Sequence, residues 1–105
     1  MNNKIFISGQ VSGIDYKVAK SNFDIAEKVW RNKGYEVVNP TNLCEEKWPW
    51  FVCMAVCLWH LIKCDSVYFL PNYKNSKGAM IEYKISEYMR KMMYVNNFHT
   101  PKYFN

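Results

Sequence analysis

Between Ser66 and Glu82 the sequence changes period, and that change dictates a strand, a loop and a helix in succession. Ser66-Val67-Tyr68-Phe69-Leu70 is a short, continuous apolar run, the pattern of a buried strand. Pro71 cannot donate to a sheet ladder and stops it. Asn72, Asn75, Ser76 and Gly78 are turn and helix-capping residues. From Gly78 onward apolar residues recur at helical steps, through Ile81, Ile85, Tyr88, Met89 and Met92. This predicts a helix that ends near residues 90–92. Backbone N–H groups at a helix N-terminus lack intrahelical partners and attract anions. Ser76, Gly78 and the carboxylate Glu82 are therefore expected to face one crevice at the carboxyl end of a strand, where open α/β sheets bind ligands.

The remaining chain repeats the alternation. Residues 4–8 read as a first strand, followed by the small-residue loop Ser8-Gly9-Gln10-Val11-Ser12-Gly13. Such a loop either lets backbone amides approach a phosphate or ribose, or is an ordinary turn that needs two glycines. Residues 16–33 read as a helix with Ala19, Phe23, Ala26 and Trp30 on one face and Gly34 as its stop. Residues 36–39 form a second strand ended by Pro40, and 41–47 a loop whose acids Glu45 and Glu46 are expected in solvent. Residues 49–63 read as a second long helix with Pro49 in its first turn. Asp65 opens the third strand, and residues 93–95 form a short fourth. Residues 96–105 are a tail carrying Phe98, His99, Tyr103 and Phe104, which either packs on its own domain or closes over a neighbour's pocket. Alternating strands and helices imply a mostly parallel sheet with right-handed crossovers, a three-layer α/β domain over residues 1–95.

The helix at 49–63 sets the expected assembly. Trp50-Phe51-Val52-Cys53-Met54-Ala55-Val56-Cys57-Leu58-Trp59 is apolar all round, yet too short for the roughly 20 residues that span a bilayer. A helix apolar on every face must be covered on every face, and one small domain needs a second chain to do so. A homo-oligomer through this helix is expected, with His60 at its edge. The net charge is +5, from scattered lysines and only Arg31 and Arg90 as arginines. No basic stripe marks a nucleic-acid groove, so the charge reads as a solvated face biased toward small anions. Cys44, Cys53, Cys57 and Cys64 include no CxxC pair and no histidine at finger-like spacing. They read as small buried hydrophobes in a reducing compartment, with no metal site and no cofactor expected. Met1-Asn2-Asn3-Lys4 leads straight into a strand rather than an apolar leader, and a cytoplasmic location is expected.

Three motifs in order carry a family resemblance: Lys4-Ile5-Phe6-Ile7-Ser8-Gly9-Gln10-Val11-Ser12-Gly13, then Gly34-Tyr35-Glu36-Val37-Val38-Asn39-Pro40, then Ser76-x-Gly78-x-x-x-Glu82 after Cys64-Asp65 and an apolar strand. From Lys4 to about Val95 the chain resembles the nucleoside 2-deoxyribosyltransferase superfamily, in its small, often phage-encoded DUF4406-type branch. The resemblance implies a flavodoxin-like or Rossmann-like domain with strand order 2-1-3-4. It implies that Asp65 reaches sugar hydroxyls and that a carboxyl tail completes an adjacent site. Ser8, Gly9, Gln10, Ser76, Lys77 and Gly78 would then surround the ligand.

Breaking an N-glycosidic bond leaves positive charge on the sugar's C1′, and a carboxylate beneath that carbon attacks or stabilises it. Glu82 is the expected nucleophile, held ionised by the helix N-terminus. Phe6 and Tyr73 are candidates to flank the base. The ligand is a nucleoside, a nucleotide or an ADP-ribose-like molecule, and the acceptor is water or another base. The first loop lacks the arginine of nucleotide-hydrolysing relatives, and no general acid for the base is visible. Two other readings therefore stand beside the enzyme: a protein that sequesters a nucleotide-derived signal without turnover, and a structural oligomer.

Overall fold

The computed structural model describes residues 3–95, so the aromatic tail at 96–105 lies outside the described residues. The elements run β1 (Lys4–Ser8), α1 (Tyr16–Asn32), β2 (Glu36–Val38), α2 (Pro40–Leu43), α3 (Trp50–Ile62), β3 (Ser66–Phe69), a 3-10 turn (Tyr73–Asn75), α4 (Lys77–Tyr88) and β4 (Met92–Val95). The four strands form one sheet in the order β2-β1-β3-β4, and every pairing is parallel. This is the expected three-layer α/β architecture and strand order.

Strand alternation sorts the core into two layers. Ile5, Ile7, Val37, Tyr68 and Leu70 pack on one face with Phe23, Ala26 and Trp30 of α1. Phe6, Val67, Phe69 and Met93 pack on the other with Cys57 and Leu61 of α3 and Ala79 of α4. Ser8 follows Phe6 by two residues, so it lies on the α4 face, at the very end of β1.

Three local expectations are corrected. Residues 40–43 are helical rather than loop, because Asn39 caps Thr41 N and Pro40 supplies a preset first helical position. The inner face of α4 is the small and polar stripe Gly78, Ala79, Glu82 and Ser86, not the apolar one. Ile81 and Ile85 are half-buried and Tyr88 is 89% exposed. Small residues on the inner stripe let α4 approach the sheet closely. The chain also leaves the helix sooner than expected. Arg90 takes a left-handed φ of 57°, and Met92 belongs to β4.

Within this chain α3 buries only Cys57 and Leu61, while Phe51 is 70% and Trp59 61% exposed. Among the described residues no helix is long and apolar enough to cross a membrane.

Candidate functional site

Neighbours in the order β2-β1-β3-β4 place the switch point between β1 and β3, the position where an open parallel sheet forms a crevice. The loops leaving those two strands are tied together. Leu70 N donates to Ser8 O at 2.8 Å, and Gln10 N donates to Asn72 Oδ1 at 3.2 Å. Gly9 is required for this contact, since a Cβ there would stand 2.5 Å from Leu70 Cδ1 and 2.9 Å from Leu70 Cβ. Ser76 then caps α4, its Oγ accepting from Ala79 N at 3.1 Å.

These constraints bring Ser8 and Glu82 together. Ser8 Oγ donates to Glu82 Oε1 at 2.5 Å, and both residues are buried. A cavity of about 180 Å³ opens beside them, lined by Ser8, Gly9, Ser76, Gly78 and Glu82. Five of the residues picked out from sequence thus meet at one place. Burial raises the Glu82 carboxyl from its ordinary 4.5 to about 7, against the Ser8 hydrogen bond, which lowers it. The expectation that the helix N-terminus holds Glu82 ionised is therefore corrected. Glu82 is the sixth residue of α4, and the dipole's influence fades within the first turn.

Other expected site residues lie elsewhere. Phe6 is fully buried in the core beside Val67 and Phe69, so its ring is not available to a base. Tyr73 is buried too, stacked on Tyr83 at 5.6 Å and tilted against Phe69 at 5.3 Å. Lys77 is exposed and outside the cavity lining, as is the half-buried Gln10, whose Nε2 donates to Ser12 O. Asp65 sits at the opposite end of the sheet, where its Oδ2 accepts from Lys4 N at 3.2 Å. The length of β1 separates it from Ser8, about 13 Å at ~3.3 Å per residue. It is a turn residue capping an amide, not a sugar-binding acid of this cavity.

The cavity has a wall that sequence reasoning missed. Tyr16, Phe23, Thr41, Trp48, Trp50 and Met54 line it, with Glu45 and Glu46. The signal was present in Trp48-Pro49-Trp50, two large aromatics held by a rigid residue directly before a helix. Among the described residues the lining holds the carboxylates of Glu45, Glu46 and Glu82 but no lysine or arginine.

The reading of all four cysteines as free thiols is corrected as well. Cys44 and Cys53 form a disulfide, while Cys57 and Cys64 are free and buried. Residue 44 ends α2 and residue 53 lies in the first half of α3, so the loop between the two helices folds back and brings them together. Burial, with the nearby Glu82 charge, pushes the Cys57 thiol up to about 12.

In comparisons with curated proteins and with solved structures, nothing matches this chain. A family model described as a domain of unknown function (DUF4406) matches residues 3–95, and the chain belongs to that family.

Proposed function

We propose that the protein binds a nucleoside-like ligand in the cavity at the carboxyl ends of β1 and β3 and cleaves or transfers at its N-glycosidic bond. The kinship this implies with nucleoside 2-deoxyribosyltransferases rests on the three motifs quoted above. The observation that carries the reading is Glu82: a buried carboxyl, hydrogen-bonded by Ser8, facing a cavity with aromatic walls. In its ionised form a Glu82 oxygen attacks C1′. The C1′–O bond forms as the C1′–N bond breaks, and the electron pair leaves on the base nitrogen, which takes a proton from solvent. Water or a second base then displaces the carboxylate. Ser8 orients the carboxyl, and Trp48 and Trp50 offer stacking surface for the base.

One feature favours a nucleoside over the nucleotide and ADP-ribose-like alternatives: among the described residues the cavity lining has acids and no cation to meet a phosphate. The pairing of two copies through the exposed apolar face of α3 and the cytoplasmic location belong to the same proposal, and in that reducing compartment the Cys44–Cys53 bond would be open as two thiols.

The test is incubation of the protein with nucleosides, nucleotides and NAD-derived molecules, followed by chromatography of the products. Free base released from a nucleoside supports the enzyme. Intact ligand recovered after denaturation replaces it with the sequestering protein. If neither is found, the structural oligomer is the reading that remains.

A further inference from the structure

Three sulfurs, two of them four residues apart on α3 and the third nine residues before the first of these, converge on the wall of the cavity. The Sγ atoms of Cys44, Cys53 and Cys57 all lie within 4.8 Å of one another. Cys57 Sγ is 3.9 Å from Cys44 Sγ and 3.8 Å from Cys53 Sγ. A tetrahedral centre with metal–sulfur bonds of about 2.3 Å has sulfur–sulfur edges of about 3.8 Å. Two edges of a three-sulfur face therefore already have the required length, and the third is closed by the Cys44–Cys53 bond. Cys53 and Cys57 come from successive turns of α3, and Cys44 from the end of α2, so two rigid elements hold the triangle. All three residues line the cavity, which leaves a fourth coordination position facing it.

We propose that, once the Cys44–Cys53 disulfide is reduced, Cys44, Cys53 and Cys57 form a thiolate site for a zinc-like divalent cation. Three thiolates select a soft or borderline cation over Mg²⁺ or Ca²⁺. Reduction by a dithiol breaks the Cys44–Cys53 bond. Two electrons and two protons pass to the protein thiols, and the dithiol leaves as its own disulfide. Zn²⁺ binding then forms three Zn–S bonds and releases three protons to solvent, one from each cysteine. Disulfide and metal exclude each other, because a sulfur bonded to sulfur is no thiolate donor. The site is independent of the N-glycosidic reading, and either can fail alone.

The experiment uses Co²⁺ as a spectroscopic stand-in for Zn²⁺. The full chain is reduced with a dithiol, desalted under argon and titrated with Co²⁺. Tetrahedral visible bands and a thiolate-to-cobalt charge-transfer band are expected, saturating at one ion per chain and bleached by Zn²⁺. Oxidised protein, with the disulfide verified by mass, is expected to show neither band. Cys57→Ser abolishes the charge-transfer signature of the three-sulfur site and Cys64→Ser leaves it intact. Cys44→Ser serves as the second ligand variant if Cys57→Ser does not fold. Absence of the bands in reduced wild type overturns the proposal, as does their full survival in Cys57→Ser or Cys44→Ser, or equal binding by the oxidised form.

Discussion

Ser8 Oγ donates a 2.5 Å hydrogen bond to Glu82 Oε1 across 74 residues of chain, at the point where β1 ends and the inner face of α4 passes over it. A charge-assisted O–H···O bond of this length is strong, and it is the one polar contact that lowers the Glu82 pKa against burial. If Glu82 acts on a C1′ carbon, Glu82→Gln keeps the size and removes the charge. Base release is then expected to fall about 10²–10³-fold, with ligand affinity changed far less. Equal turnover by both proteins, followed chromatographically, excludes Glu82 as the nucleophile.

The same carboxyl predicts a pH profile. Nucleophilic attack needs the ionised form, so kcat/KM is expected to rise with pH and level off above about 7. Ser8→Ala removes the hydrogen bond that favours the ionised form and is expected to move that limb to higher pH. A limb unmoved in Ser8→Ala separates the titration from Glu82.

Stability should carry the opposite slope. Below pH 4.5 the Glu82 carboxyl is neutral whether the chain is folded or not. Between 4.5 and about 7 the unfolded chain ionises while the folded one holds its proton, so stability falls as pH rises and the fall is complete above about 7. The full fall for this single group is about 3 kcal/mol. Glu82→Gln is expected to flatten that part of the profile, measured as urea-unfolding free energies at about pH 4 and about pH 8. A wild-type profile with the same slope as the variant refutes the buried carboxyl.

Asp65 gives the contrasting prediction. It caps Lys4 N at the far end of β1, so Asp65→Asn is expected to leave base release unchanged. Loss of turnover in a folded Asp65→Asn protein would bring Asp65 back into the reaction.

The exposed face of α3 predicts self-association. Trp50, Phe51, Trp59 and Ile62 leave a large exposed apolar surface on this one helix, the kind of surface that marks an interface. Light scattering at micromolar concentration is expected to give a dimer or larger for wild type, and a monomer for Phe51→Glu with Trp59→Glu. A monomeric wild type removes the second chain.

Gly9 and Gly78 separate a required glycine from a tolerant one. At Gly9 an added methyl meets Leu70 Cβ, which cannot swing away, and Gly9→Ala is expected to cost about 1–3 kcal/mol in urea unfolding. At Gly78 the nearest atom is Met54 Sδ at 2.9 Å, the end of a flexible side chain, and a smaller loss is expected. Equal losses at the two positions contradict the Gly9–Leu70 packing.

Local pattern determined the types of the long elements, and the resemblance carried by the family motifs implied the strand order and, with it, the meeting of Ser8, Gly9, Ser76, Gly78 and Glu82. The element types depend on short-range rules: period, stops at Gly34 and Pro71, and a serine cap ahead of an inward acid, while the four-residue helix at 40–43 escaped them. Tertiary structure alone decided the rest. Phe6 and Ser8 share a face of β1, but only packing shows that the first is enclosed in the core and the second is left at a cavity. Asp65 is a site acid by resemblance until the parallel register places it a strand's length from Ser8. The charge on Glu82 looks secure in sequence and is not, because desolvation is a property of the whole surround and outweighs a dipole one turn away. Cys53 and Cys57 are neighbours by helix geometry alone, but Cys44 joins them only because the loop turns α3 back onto α2.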